Sequence, residues 1–146
     1  MDIEVFRIRT ADQELTDLAR ENTPEDIGIQ DLDIKVQVDG IAITGKYTGM
    51  MMPIQFETFF EPVVSNGIVE ARLTSVKVAG FSANNIRKVL LSMISDLMEQ
   101  QPGLSIDNET IRLDLSALLA GYDLPLRVVP KNVHCQPGFL IIDGGI

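Results

Sequence analysis

Residues Ser82 to Gln101 constrain the fold of this chain more than any other stretch, because their apolar positions recur with the period of a helix. Ile86, Val89, Leu90, Met93, Ile94, Leu97 and Met98 follow one another at three- and four-residue steps, which makes one broad stripe on an α-helix. Arg87, Lys88, Ser92, Ser95, Asp96 and Glu99 lie mainly outside that stripe. Ser82 suits the N-cap, since its hydroxyl can accept from a first-turn amide. Pro102-Gly103 ends the segment, proline lacking the amide and glycine tolerating a left-handed exit. At about 1.5 Å of rise per residue such a helix would be roughly 25–28 Å long.

Most of the remaining chain reads with period two. Ile34, Val36 and Val38 alternate with Asp33, Lys35 and Gln37, the pattern of a half-buried strand. Asp39-Gly40 is a hairpin signal, and the return strand carries Ile41, Ile43 and Tyr47. A third strand holds Ile54, Phe56 and Phe60, and Asn66-Gly67 turns the chain into a fourth, Ile68 to Ala79. There Val69, Ala71 and Leu73 share a side, and the parity switches after Ser75 to Val76 and Val78, which predicts a bulge or bend. Ile3 to Arg9 has strand composition. Asp12 to Asn22 reads as a short helix with Asp12 as its cap and Leu15, Leu18 and Ala19 inside. Later, Leu104, Ile106, Ile111, Leu113 and Leu115 suggest a small strand pair across Asp107-Asn108-Glu109. A helical turn from Leu115 to Ala120 follows, and Leu126 to Val133 and Phe139 to Ile142 are the last strands. Strands, long helix and strands again give an α+β class with a mainly antiparallel sheet curved around the long helix and one or two short helices. At 146 residues, without linkers or repeats, a single domain over 1–146 is expected.

Charge and cysteine content narrow the function. A net charge of −9 disfavours nucleic acid, whose phosphates call for a basic face, and electrostatic docking on an anionic membrane. No apolar run approaches the roughly 20 residues of a spanning helix. Met1-Asp2-Ile3-Glu4 lacks the basic and apolar regions of a signal peptide, so the expected location is the cytoplasm. Cys135 is the only cysteine, which leaves no intrachain disulfide and no cysteine-rich metal site.

The residues that could carry chemistry each have a plainer reading. His134 and Cys135 are neighbours in a strand and point to opposite faces, so they are a poor nucleophile–base pair. Asp31 and Asp33 could do acid–base work or hold a cation, but they alternate with inward aliphatics as a solvated face would. No phosphate loop, calcium loop, GxSxG or HExxH pattern occurs. The expectation is a protein that is not an enzyme, with no cofactor and no metal. What remains is apolar: Met50, Met51 and Met52, the aromatics Phe56, Phe59 and Phe60, and Met93 and Met98 on the helical stripe. Methionine is flexible and polarizable and suits variable apolar ligands. Simple filling of the core between helix and sheet is the favoured explanation of these residues, and the functional alternative is a cleft for an acyl chain or a patch for a partner.

From Ile29 to Ile142 the chain resembles the tubular lipid-binding (TULIP) superfamily, in particular its small bacterial phospholipid-binding members. The resemblance rests on the Asp39-Gly40 hairpin with the return Ile41-Ala42-Ile43-Thr44-Gly45-Lys46, the strand Ala71 to Val78, and the helix Asn84 to Glu99. It continues through Leu104-Ser105-Ile106, Ile111-Arg112-Leu113-Asp114-Leu115 with Leu118-Leu119, and the closing strand Gly138 to Ile142. It is a likeness of apolar spacing, without a catalytic motif. It implies a bent sheet wrapped on the long helix and a groove for lipid tails. The residues expected to line that groove are Met52, Phe56, Phe60, Ile86, Val89, Leu90, Met93 and Leu97. The expected partner is a lipid or other apolar small molecule. The alternative is a protein-interaction or homodimerisation module of the same fold with a filled cleft.

Overall fold

A computed structural model of the protein describes residues 5–23, 28–48, 53–78, 87–88, 91–92, 95, 102–121, 123–124 and 126–145. Alternating residues put every second side chain on the same face, so pairing register decides which residues share a surface. The elements are β1 (Val5–Ala11), α1 (Asp12–Asn22), β2 (Ile29–Gln37), β3 (Gly40–Tyr47), β4 (Ile54–Ser65) and β5 (Ile68–Val78). They continue with β6 (Leu104–Asp107), β7 (Thr110–Leu113), α2 (Leu115–Gly121), β8 (Val129–Gln136) and β9 (Phe139–Gly145). A six-stranded sheet runs in the order β2-β3-β4-β5-β7-β6, and a three-stranded sheet in the order β1-β9-β8. All pairings are antiparallel.

The turns follow the local chemistry. Asn66 and Gly67 both take positive φ, 52° and 76°, as the tight β4–β5 hairpin requires. The β2–β3 turn is formed by Val38 and Asp39, one residue earlier than Asp39-Gly40 suggests, with Gly40 pairing Gln37 as the first residue of β3. The predicted bulge in the fourth strand is present. Phe59 pairs Ser75 and Phe60 pairs Leu73, so Thr74 is the extra residue, and its hydroxyl donates to the Phe59 carbonyl at 3.0 Å.

That bulge keeps one face of the larger sheet apolar along its whole width. Cross-strand rows read Ile29–Tyr47–Ile54, Gly45–Phe56–Val78, Ile34–Ile43–Thr58–Val76 and Val36–Ile41–Phe60–Leu73. Beyond the bulge come Pro62–Ala71–Ile111–Ile106 and Val64–Val69–Leu113–Leu104. Without the extra residue, everything past Ser75 would face the other way.

The expected architecture, a curved sheet wrapped on one long amphipathic helix, is not the one formed. Among the described residues 63% are in strands and 20% in helices, and α1 and α2 have only 11 and 7 residues. Among the described residues, the Val69 end of the larger sheet's inner face packs against the smaller sheet and α2: Val69 shares a cluster with Leu115, Val128 and Ile142, joined by Phe6, Leu119 and Val133. The helix predicted from Ser82 to Gln101 falls mainly outside the described residues. Within it Arg87, Lys88, Leu91, Ser92 and Ser95 are helical, and Arg87 donates to Glu109 of the β6–β7 turn at 2.8 Å.

The short helix α1 differs from its expected packing. Leu18 is exposed, and the buried residue is Thr16, at 1%. Its hydroxyl accepts from the Ile34 amide at 2.9 Å and donates to the Ile34 carbonyl at 3.2 Å. Arg20 donates to the Leu32 carbonyl at 2.7 Å, and Asp12 accepts from the Val36 amide at 3.5 Å instead of capping its own helix. Gly138 of the β8–β9 turn donates to the Val36 carbonyl at 2.9 Å. Together these groups satisfy the open edge of β2, a row of donors and acceptors that would otherwise attract another strand. Ser116 on α2 repeats the device beside β8, accepting from the Val128 amide at 3.0 Å and donating to its carbonyl at 2.8 Å.

Candidate functional site

Strand β4 builds the centre of the candidate site. Ile54, Phe56, Thr58 and Phe60 are buried and Gln55, Glu57 and Glu61 are exposed. Thr58, the polar member of the buried set, donates to the Ile43 carbonyl at 3.2 Å and so carries no unmet hydrogen bond. Phe56 stands opposite Gly45 on β3. A Cβ at Gly45 would come within 2.8 Å of the Phe56 ring and 3.3 Å of the Gln30 carbonyl, so the missing side chain makes room for the aromatic one.

Ile54 and Phe56 are exposed by only 3% and 4%, and Ile29, Leu32, Tyr47, Val76 and Val78 pack against them. All these side chains come from β2, β3, β4 and β5 of one sheet. At the other end of the same face, the Val69 cluster draws on both sheets and on α2. Among the described residues, the two ends therefore have like chemistry and unlike neighbours.

Behind the Phe56 end, on the opposite face of the sheet, lies an open cleft of about 560 Å³. Lys46 and Gln55 line it on one side of the Gly45–Phe56–Val78 row, and Thr44, Glu57 and Lys77 on the other. Since strand neighbours point to opposite faces, the floor is backbone and the walls are polar side chains. Lys46 pairs with Asp31 at 3.4 Å, both well exposed, so the pair adds little energy. Asp31 itself takes φ +57° in a register shift between Gln30 and Asp33. The alternation that would set Asp31 and Asp33 on one side is interrupted there, and Leu32 turns to the Phe56 cluster.

Other reactive groups are occupied or blunted. The Glu70 carboxylate, on the outward face, accepts from Arg72 and Arg112 at 3.3 Å each. Burial pushes the Cys135 thiol up from its ordinary value, and Asp39 adds to the effect, so the nucleophilic thiolate is disfavoured. Among the described residues no group of three or more His, Cys, Asp or Glu is arranged to hold a metal ion. Among them also, no helix is long and apolar enough to cross a membrane.

Of the eight residues expected to line a ligand groove, Phe56 and Phe60 are described. Both are buried on the inner face of β4, two pleat repeats apart with Thr58 between them, Phe60 in the row with Val36, Ile41 and Leu73. Met52, Ile86, Val89, Leu90, Met93 and Leu97 lie outside the described residues. The sequence pattern placed Tyr47, Ile54, Val76 and Val78 on inward strand positions, but only register brings them around Phe56. Compared with known proteins, the chain matches no family model, no curated protein and no solved structure.

Proposed function

We propose that this protein is a non-enzymatic binder of a lipid or another long apolar ligand, whose chain lies along the inner face of β2 to β5 around Ile54 and Phe56. The observation that supports this reading is the apolar cluster on one face of β2 to β5, in which Ile54 and Phe56 are ringed by the partly buried Ile29, Leu32, Tyr47, Val76 and Val78. Each methylene transferred from water to such a face contributes about 0.8 kcal/mol before ordering costs, so one acyl chain suffices for useful affinity. The helix-lined groove is not part of this proposal.

Native mass spectrometry of the purified protein, with organic extraction of the same sample, tests it. Extra mass of lipid size that extracts into solvent, or that appears after incubation with phosphatidylcholine vesicles, is the expected result. A bare polypeptide mass under both conditions would remove the ligand reading.

A further inference from the structure

The sheets have four edges, and they are finished in different ways. The edge of β2 is satisfied by Asp12, Thr16, Arg20 and Gly138. The β8 edge carries Pro130, which has no amide to offer, and begins beside Val128, which Ser116 satisfies. Strand β6 has only four residues. Strand β1 has seven, lies at the margin of its sheet, and among the described residues no group bonds to its outer backbone edge. Its Val5 is 83% exposed and its Ile8 38%.

Charged side chains often guard such an edge. Here both candidates are drawn back onto the strand's own partner: Arg7 donates to Asp143 of β9 at 2.6 Å, and the Arg9 guanidinium lies 3.9 Å over the Phe139 ring. The edge is thus long, partly apolar and unguarded.

We infer that β1 is a self-association edge, on which β1 of a second copy of this chain pairs antiparallel about a two-fold axis at Ile8. A symmetric antiparallel pair sets residues opposite one another whose numbers sum to a constant, and centring on Ile8 uses the whole strand. Ile8 then faces its own counterpart, Phe6 faces Thr10, and the exposed Val5 faces Ala11. The two-fold makes the Arg7–Arg9 match twice, a like-charge contact that works against pairing and is tempered because Asp143 neutralises Arg7. The two three-stranded sheets become one continuous sheet in the order β8-β9-β1-β1-β9-β8, and no apolar residue of β1 is left opposite an unsatisfied charge. The inference is independent of the ligand proposal, because β1 contributes nothing to the Phe56 cluster.

Sedimentation equilibrium across a concentration series, with two variants, tests it. The natural chain is expected to show a monomer–dimer equilibrium, and Ile8→Lys to weaken it by about tenfold or more at unchanged circular dichroism. Because Ile8→Lys could disturb the fold, Ile8→Cys in a Cys135→Ser background gives a second reading. The two Ile8 positions would lie about 4.5–5.5 Å apart between Cα atoms, within the span of a disulfide, so mild oxidation should yield a covalent dimer that retains native circular dichroism. A chain that stays monomeric at all concentrations overturns the inference. So does a dimer indifferent to Ile8→Lys, or an Ile8→Cys protein that does not cross-link.

Discussion

The two ends of the larger sheet's inner face are built from the same residue types and differ in their neighbours among the described residues. Around Val69, aliphatic side chains from two sheets and a helix interlock, with Leu115, Val128 and Ile142 all buried. Around Phe56, seven apolar side chains come from four adjacent strands of one sheet. A carpet of apolar residues is only half of a core, and the other half decides what the first half is for. Where a second layer is supplied by the described chain, the carpet holds the fold together. Around Phe56 the described part of the cluster is a single layer, and the proposed ligand would contact its partly buried rim, Ile29, Leu32, Tyr47, Val76 and Val78. The sheet edges show a parallel contrast: Thr16 and Ser116 each pair a hydroxyl with both backbone groups of one residue, Ile34 in β2 and Val128 just before β8, while no described group bonds to the outer edge of β1.

The largest effect expected from this contrast is at the interlocked end. Ile142→Ala should destabilise by roughly 2–5 kcal/mol in urea unfolding, because a cavity between two layers cannot collapse. Val78→Ala, at the half-buried rim of the Phe56 cluster, should cost about 1 kcal/mol or less. Equal losses at the two positions would break the distinction.

Next in size is the sealed edge. Thr16→Val keeps the shape and removes the hydroxyl, leaving the Ile34 amide and carbonyl unmatched, at a cost of about 2–4 kcal/mol in thermal or urea unfolding. Thr16→Ser should recover most of that loss, which a purely apolar role for Thr16 would not predict. Smaller again is Gly45→Ala, whose new methyl meets the Phe56 ring. An expected loss of about 1–3 kcal/mol should be accompanied by weakened ligand binding, since the ring is displaced from the proposed contact face. Unchanged binding would argue that Phe56 takes no part in it.

The smallest effect concerns Cys135. Its thiol is raised by burial and by Asp39, so the folded protein holds this proton more tightly than the unfolded chain does. Its contribution to stability is therefore fully present below the unfolded thiol's ordinary value and falls away as pH rises through the folded one. Stability should decline slightly across that alkaline window, and Cys135→Ala should flatten the decline. Iodoacetamide should also modify native Cys135 more slowly than the urea-unfolded chain.

Much of the β-structure is legible from local signals: the alternation of β4, the Asn66-Gly67 hairpin, and the parity switch that marks the bulge at Thr74. These are legible because they depend on neighbours in the chain. The packing partner of a sheet is not a local matter. An apolar stripe such as that from Ser82 to Gln101 states that a helix face seeks burial, but not which layer a sheet will pack against, and beside Val69 the described residues that supply it come from β8, β9 and α2. Leu18 and Asp12 show the same limit at smaller scale. A leucine on a short helix looks inward, and an aspartate at its start looks like a cap. Yet α1 turns its polar side chains to the β2 edge, because unmet backbone groups there are costlier than an exposed leucine. Nothing in the residue types separates Thr16 from an ordinary surface threonine. For the candidate site, strand alternation placed Phe56 and Phe60 inward, while the grouping of Ile29, Leu32, Tyr47 and Val78 around Phe56 needed the cross-strand register.

Methyl-resolved NMR during titration with dodecanoate tests the central contrast most directly. Saturable shifts of the Ile29, Ile54, Val76 and Val78 methyls, with Val69, Val128 and Ile142 unmoved, are the predicted result. Absence of saturable shifts at the Phe56 end, or equal shifts at both ends, would contradict it.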